Sequence, residues 1–122
     1  MNSQKDMVSI FPEHNIYEAE CPLYYAINIF QQKWKLPIIW YLSLSEKARY
    51  NELKRRVKGI TNIMLTKSLR ELEDDNIVIR EEYNTVPPKV EYSLSERGRR
   101  LLPILEKLNE WGVEQIKSKE LE

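Results

Sequence analysis

The residues with the greatest intrinsic reactivity are a single cysteine, Cys21, and a single histidine, His14. They lie seven residues apart, and one thiol with one imidazole makes a poor metal site, since such sites normally use four ligands. The chain has no glycine-rich phosphate loop and no nucleophile elbow. His14 falls in an irregular lead-in, where a solvated side chain is the expected state. We therefore expect no catalytic residue, no metal site, no cofactor and no enzymatic activity.

Cys21 stands immediately before Pro22 in the stretch AECPLYY, residues 19–25. The residues that follow favour a helix beginning at Pro22, which would make Cys21 its N-cap. The positive end of a helix favours a thiolate, whereas the nearby carboxylates of Glu18 and Glu20 disfavour it. The pattern leaves three roles open: an unreactive cap, a packing residue or a reactive thiol.

The formal net charge is zero, but the charged residues are unevenly distributed. Residues 47–70 contain eight basic residues and one acidic residue, Glu52, a net charge of +7. The remainder contains 11 basic and 18 acidic residues, a net charge of −7. A basic segment with acidic flanks favours one polyanion-binding surface on an otherwise acidic protein. A solvated helix face would show the same charges, so the assignment depends on the elements that carry them.

Length and composition fit one domain, since 42% of the 122 residues are apolar and can form a core. The longest strongly apolar run, residues 36–44, is too short to span a bilayer. The first ten residues lack the basic start and apolar block of a secretion signal. One cysteine excludes an internal disulfide framework. We therefore expect a cytoplasmic protein with no membrane partner.

The N-terminal third is predicted to contain an arm and two helices. Residues 1–18 show no hydrophobic period and form the arm. The first helix begins at Pro22, and the second covers residues 34–44 with Pro37 tolerated in its first turn. The apolar stripe of the first helix comprises Leu23, Ala26, Ile27 and Phe30. The apolar stripe of the second comprises Ile38, Ile39 and Leu42, with Trp34 as a further candidate.

Two further helices are joined by a short turn. The third covers residues 50–57 and directs Leu53 and Val57 inward. The turn contains Gly59, which can adopt a positive φ, and Thr61, which suits the N-cap of the next helix. The fourth helix covers residues 62–74. Its buried face comprises Leu65, Leu69 and Leu72.

The hydrophobic period then changes to two, which indicates strands at residues 76–83 and 89–94. The hairpin tip between them, residues 84–88, is stiffened by Pro87 and Pro88. Ser95 can cap a long last helix that reaches residue 117, with Pro103 bending it or delaying its start. Its apolar stripe comprises Leu101, Leu105, Leu108, Trp111 (or Gly112) and Ile116. This order predicts an α+β, mainly α, winged helix-turn-helix, whose second motif helix enters the major groove while the hairpin forms a wing.

Several segments in unbroken order resemble one known family. They are CPLYYAINIFQQKWKLPIIWYL, RYNELKRRVKGITNIMLTKSLRELEDDNIVIR, VPPKVEYSLSERGRRL and LNEW, within residues 21–112. Together they are similar to the HxlR-type winged-helix transcriptional regulators of bacteria, which are relatives of the MarR type. The family usually has glycine at Gln32 and phenylalanine at Tyr50. The first twenty residues match nothing in the pattern.

The resemblance implies a homodimer that binds operator DNA, with dimer contacts mainly from added N- and C-terminal dimerisation helices, about residues 22–32 and 95–117. Residues 19–122 would form this domain. The apolar length of residues 101–116 exceeds what one small domain needs, which agrees with a two-fold contact. A monomer whose long helix covers its own first helix is the alternative. The predicted dimer residues are Leu101, Leu105, Leu108 and Trp111.

Some members of the resembled family sense oxidants or electrophiles through the cysteine at this Cys-Pro position, while others carry it without a known sensing role. Cys21 is therefore a redox candidate, and an oxidant or a small molecule is a candidate effector. Without a second cysteine in the chain, three products remain. They are a Cys21–Cys21′ bridge across the dimer, a mixed disulfide with a small thiol, and an alkyl adduct.

Base contact is predicted for the N-terminal residues on the outer face of the fourth helix. They are Asn62, Ile63, Thr66 and Lys67. Asn62 can pair with adenine, and Ile63 can touch a thymine methyl group. If the helix is rotated, Ile63 belongs to the core instead.

Phosphate contact is predicted for residues that flank the turn, follow on the fourth helix or lie at the wing tip. They are Arg49, Lys54, Lys58, Thr61, Arg70 and Lys89. The wing itself comprises Arg80, a weaker phosphate candidate, and the rigid pair Pro87–Pro88.

Two other functions remain open at this point. One is a regulator that binds a small ligand in an aromatic pocket, although such aromatic residues more often form plain core. Its lining would come from Tyr24, Tyr25, Trp34, Trp40 or Trp111. The other is a winged-helix protein-interaction module without DNA binding, which the loss of the basic face would favour.

Overall fold

The computed structural model describes Tyr17 and residues 21–121, excepting the side chain of Leu121. These residues fall into two units divided between Lys33 and Trp34, and each unit is considered by itself. The predicted arm at residues 1–18, with His14, lies outside the described residues except for Tyr17.

The N-terminal unit contains helix α1, Pro22–Phe30, which begins at the predicted residue. The Tyr25 N–H donates to the Cys21 carbonyl at 3.0 Å, which makes Cys21 the N-cap. Of the predicted apolar stripe, Leu23 and Ile27 are exposed and Ala26 and Phe30 are half-buried, whereas Ile29, which lies outside the stripe, is buried. The spacing of apolar residues identifies a shared helix face, but it does not say what covers that face.

The second unit begins with three helices: α2, Lys35–Ser43; α3, Tyr50–Arg56; and α4, Asn62–Asp74. The turn before α4 has the predicted chemistry. Gly59 adopts a φ of +87°, and the Thr61 hydroxyl accepts a hydrogen bond from the Met64 N–H at 3.1 Å. The inward positions predicted for these helices are buried, although Val57 follows the last residue of α3 and the further candidate Trp34, which precedes α2, is half-buried. The buried set is Ile38, Ile39, Leu42, Leu53, Val57, Leu65, Leu69 and Leu72.

The wing consists of two antiparallel strands, β1, Val78–Tyr83, and β2, Lys89–Leu94. Strand β1 starts two residues later than predicted, because Asn76 adopts a φ of +60° in the turn after α4. The segment before α3 adds a further pairing that the sequence did not reveal. Ala48 and Tyr92 exchange two backbone hydrogen bonds of 2.8 Å, which join this segment to the outer edge of β2.

The C-terminal region forms two helices, α5, Glu96–Arg99, and α6, Leu102–Leu121, instead of the predicted single helix at residues 95–117. The Ser95 hydroxyl caps α5 as predicted, accepting from the Gly98 N–H at 2.9 Å. Pro103 lies in the first turn of α6. Backbone N–H groups in a first turn have no partner within the helix, so proline costs no hydrogen bond there. No helix in the described part of the chain is long and apolar enough to cross a membrane.

One ion pair connects α2 to α4. The Lys35 ammonium lies 2.7 Å from the Glu71 carboxylate, and Lys35 is only 4% exposed. Burial of an ammonium is costly unless a counter-charge compensates it. The pair therefore helps to fix α4 against the first residue of α2.

We expect Glu71→Ala to destabilise the protein by about 2 kcal/mol, because the buried ammonium then loses this counter-charge. Lys35→Met is expected to cost less than about 1 kcal/mol, since methionine fills a similar space and the half-buried carboxylate can turn to water. Urea unfolding followed by circular dichroism measures both changes. Equal losses in the two variants would contradict this asymmetry.

Candidate nucleic-acid interface

The outward face of α4 presents Asn62, Ile63, Thr66, Lys67 and Arg70, all exposed. Ile63 is 79% exposed, so the rotated helix that would bury it is wrong. These side chains line one shallow open groove, together with Glu71 and Asp74 at its far end along α4. The face combines an amide, a hydroxyl, two cations and one apolar side chain, which are the groups that read base edges and thymine methyl groups.

Five cations predicted to contact DNA lie on the two motif helices or next to α3 in the chain. Arg49, Lys58, Lys67 and Arg70 are exposed, and Lys54 is half-buried. None of the five forms an ion pair with a carboxylate within the described residues. Their charges are therefore available to an external anion. Two further exposed arginines on α3, Arg55 and Arg56, add to the same basic segment.

Tyr50 also takes part in this surface, although it was not among the predicted site residues. Tyr50 opens α3, and its hydroxyl lies 3.1 Å from the Asn62 carbonyl oxygen and 3.2 Å from Asn62 Oδ1. The same hydroxyl lies 3.2 Å from Thr66 Oγ1. The available signal was a hydroxyl at a position where the resembled family usually has phenylalanine.

The wing is fixed to the segment before α3 by a polar cluster at the end of β1 nearest the hairpin tip. Lys47 Nζ lies 2.8 Å from the Tyr83 hydroxyl and 3.2 Å from the Glu81 carboxylate, and that hydroxyl donates to Glu81 at 2.6 Å. The hydrogen bond with Tyr83, followed by that with Glu81, raises the pKa of Lys47. The bond from Tyr83, followed by that from Lys47, lowers the pKa of Glu81. Lys47 belongs to the basic segment, yet its charge is compensated by the Glu81 carboxylate of the same chain.

The wing is less basic than the helices. Arg80 pairs with Glu82, and this bond is the main reason why the pKa of Arg80 is raised. Lys89 lies 3.9 Å from the Glu91 carboxylate and 5.0 Å from the centre of the Tyr83 ring. Residues 78–94 carry two cations and three carboxylates, a net charge of −1. The exposed tip contains Pro87 and Pro88, and the Val86–Pro87 peptide bond is cis.

The predicted dimer residues divide into two groups. Leu101 and Leu105 are half-buried, whereas Leu108 is 54% and Trp111 61% exposed. Three further large apolar side chains of α6 are exposed, namely Ile104, Val113 and Ile116. Helix α6 therefore presents an apolar surface to solvent within the second unit.

The remaining candidate residues are Cys21, the aromatic residues proposed to line a pocket, and possible metal ligands. Cys21 is a free thiol, 7% exposed. Among the aromatic residues proposed to line a pocket, Trp34 and Tyr24 are half-buried and the rest are exposed, namely Tyr25, Trp40 and Trp111. Within the described residues, no three His, Cys, Asp or Glu side chains lie close enough together to hold a metal ion.

Known proteins share this arrangement. YybR, an uncharacterised HTH-type transcriptional regulator of Bacillus subtilis, is 49% identical over 100 residues, which are 80% of this chain and 79% of YybR. The reduced form of the redox regulator HypR is 44% identical with a TM-score of 0.75, and the match covers 83% of this chain and 99% of HypR. Diamide-treated YodB of B. subtilis is 28% identical with a TM-score of 0.66, over 80% of this chain and 96% of YodB.

The model of the HxlR-like helix-turn-helix family matches residues 29–120, which include the four helices and two strands around the basic face as well as α6. The winged fold and the regulator relatives agree with that match. The chain therefore belongs to the HxlR-like helix-turn-helix family of transcriptional regulators.

Proposed function

We propose that the protein regulates transcription by binding a pseudo-palindromic DNA operator as a homodimer. Helix α4 enters the major groove, where Asn62, Ile63, Thr66 and Lys67 contact base edges. The phosphate backbone is held by the cations around the motif, with the Thr61 segment at the start of α4 and Lys89 at the wing tip. The phosphate set is Arg49, Lys54, Lys58, Thr61, Arg70 and Lys89.

The observation that carries this proposal is the exposed face of α4. Its cations have no internal counter-charge in the described structure, and Ile63 projects into solvent beside Asn62 and Lys67. An exposed isoleucine between an amide and an ammonium has no role in the core of this chain. In a major groove, the same three groups match a thymine methyl, an adenine edge and a guanine edge.

The experiment is operator selection from random duplexes with the purified protein, followed by fluorescence titrations at several salt concentrations. We expect a selected site with two related half-sites about one helical turn apart. Affinity should fall steeply with salt, because bound cations release counterions from DNA. Selection of no sequence and affinity independent of salt would overturn the proposal and favour a protein-interaction module.

Lys89→Ala is expected to weaken binding to every duplex by a similar factor and to lower the salt slope by about 1, since the lost contact is to phosphate. The measurement is the same titration with operator and with unrelated DNA. The matched control is Lys117→Ala, which removes an exposed lysine of α6. A loss confined to the operator would show that Lys89 reads bases instead.

The homodimer is supported by the apolar surface of α6. Leu108 and Trp111 are both more than half exposed, and burying them between two copies would remove apolar area from water. Light scattering is expected to give about twice the chain mass of 14.6 kDa. Trp111→Asp should lower that mass, because a carboxylate would enter a dry interface. A wild-type mass equal to one chain would overturn the dimer.

We also propose redox control at Cys21, which the comparisons favour, since HypR is a redox regulator solved in reduced and oxidised forms. Cys21 caps α1, so a new bond at its sulfur would act where that helix begins. In a bridge to Cys21 of the partner subunit, two thiols give two protons and two electrons to an oxidant and one S–S bond forms. That product requires the two Cα atoms to come within about 7 Å.

Diamide, which takes up the two electrons and two protons to become a hydrazine, is expected to lower operator affinity about tenfold, a typical coupling between two sites. Cys21→Ser should bind the operator normally and should not respond to diamide. Gel shift with and without diamide, and intact mass of the treated protein, check both points. A Cys21→Ser protein that still loses binding on oxidation would eliminate the sensor.

A further inference from the structure

The hydroxyl of Tyr50 joins the two helices of the motif at the residues proposed to read bases. It lies 3.2 Å from Asn62 Oδ1 and 3.2 Å from Thr66 Oγ1, and 3.1 Å from the Asn62 carbonyl oxygen. Asn62 and Thr66 are one turn apart on the exposed face of α4. One phenol on α3 therefore contacts two neighbouring side chains of the surface.

The donor and acceptor count gives this contact a direction. A phenol has one proton, and both oxygens of Asn62 can only accept hydrogen bonds. Tyr50 must therefore be the donor to Asn62, and its single proton is shared between the Asn62 carbonyl oxygen and Oδ1. The bond between Tyr50 and Thr66 can exist at the same time only if the Thr66 hydroxyl donates to the phenol oxygen.

This direction determines what the two side chains can offer to DNA. Thr66 has used its proton, so its Oγ1 can only accept. Asn62 retains both protons of its amide nitrogen and one free lone pair on Oδ1, held in one orientation. An acceptor facing the major groove pairs with the amino group of adenine or cytosine, and an asparagine amide pairs with adenine.

We propose that Tyr50 is a positioning residue for operator specificity, which acts through its hydroxyl by orienting Asn62 and polarising Thr66 toward amino-bearing bases. This inference rests on the proposed function. Tyr50 itself is half-buried and is the first residue of α3. Its effect is therefore on discrimination between bases and not on attraction to phosphate.

Tyr50→Phe is the test variant, because it removes the hydroxyl and keeps the ring. Operators selected with wild-type protein and with the variant are compared base by base. We expect the wild type to prefer adenine or cytosine at the positions facing Asn62 and Thr66. We expect that preference to fall about fivefold or more in the variant, which is the low end of the discrimination of one base contact. Affinity for unrelated DNA and the salt slope should stay unchanged.

Two controls separate the hydroxyl from general effects on folding. Tyr83→Phe removes another hydrogen-bonded hydroxyl, at the end of β1 nearest the hairpin tip, and should leave the same base preferences intact. In a Thr66→Val protein, Tyr50→Phe should reduce the base preference less than it does in the wild type, because the two residues act as a unit. Thermal unfolding of all variants verifies that the fold is kept.

The outcomes distinguish this inference from the proposed function. If Tyr50→Phe selects the same bases with the same strength as the wild type, the positioning role is overturned and operator binding stands. If the wild type selects no sequence at all, the proposed function fails first. If Tyr50→Phe weakens binding equally to all duplexes, Tyr50 acts only on the stability of the motif and the inference is also overturned.

Discussion

Replacing Gly98 by alanine is expected to destabilise the protein by about 3 kcal/mol, the upper end for overpacking against atoms that cannot yield. A Cβ at this position would collide with the carbonyl oxygen of Ile77. That carbonyl cannot move freely, because it accepts the Ser95 N–H at 3.0 Å and lies 3.1 Å from the Ser95 hydroxyl. Urea unfolding and thermal melting measure the loss.

Gly112 offers a matched control in the same region of the chain. A Cβ there would have no neighbour within 4 Å in its own chain, and the residue lies inside α6. Gly112→Ala is therefore expected to stabilise the folded chain by about 0.5–1 kcal/mol through helix propensity. If the two variants have equal stability, close backbone packing at Gly98 is not what requires glycine.

The second large effect concerns Lys67, an exposed residue that lines the groove on the outward face of α4. Lys67→Ala is expected to lower affinity for the selected operator about 10- to 100-fold, since a base contact is worth about 1–3 kcal/mol. Affinity for unrelated DNA should fall much less. Competition titrations with operator and unrelated duplexes measure the ratio.

The control for this variant is Lys119→Ala, an exposed lysine near the end of α6. It should leave both affinities unchanged. An equal loss of operator and unrelated DNA in Lys67→Ala would assign Lys67 to phosphate and leave sequence reading to Asn62, Ile63 and Thr66.

The features that the sequence predicted correctly depend on chemistry within a few residues. Thr61 and Ser95 each cap a helix through an N–H three residues further along, and Gly59 takes up a positive φ in its own turn. The leucines of α4 repeat with the helical period, so the opposite face, with Ile63, followed from geometry. The exposed face of α4 could therefore be identified from the sequence.

The features that were missed depend on partners far away in the chain. The single helix predicted for residues 95–117 divides after α5, where Gly98 packs against Ile77, about twenty residues upstream. Lys47 contributes to the charge of the basic segment, but the sequence patterns do not indicate its partners, Glu81 and Tyr83. Pairings of this kind are fixed by tertiary packing, and hydrophobic period and local propensity carry no information about them.

The net charge of −1 on the wing bears on how the protein would compete for sites in a chromosome. Attachment to unrelated DNA is almost wholly electrostatic, so each carboxylate facing the duplex shortens the time spent at wrong positions. A genome offers about 10⁶–10⁹ such positions, and occupancy depends on the ratio of operator binding to this background. Each of the wing carboxylates Glu81, Glu82 and Glu91 is paired with a cation, so the wing would add little to this background while α4 makes the proposed reading contacts, which favours rapid search over tight sequence-independent adhesion.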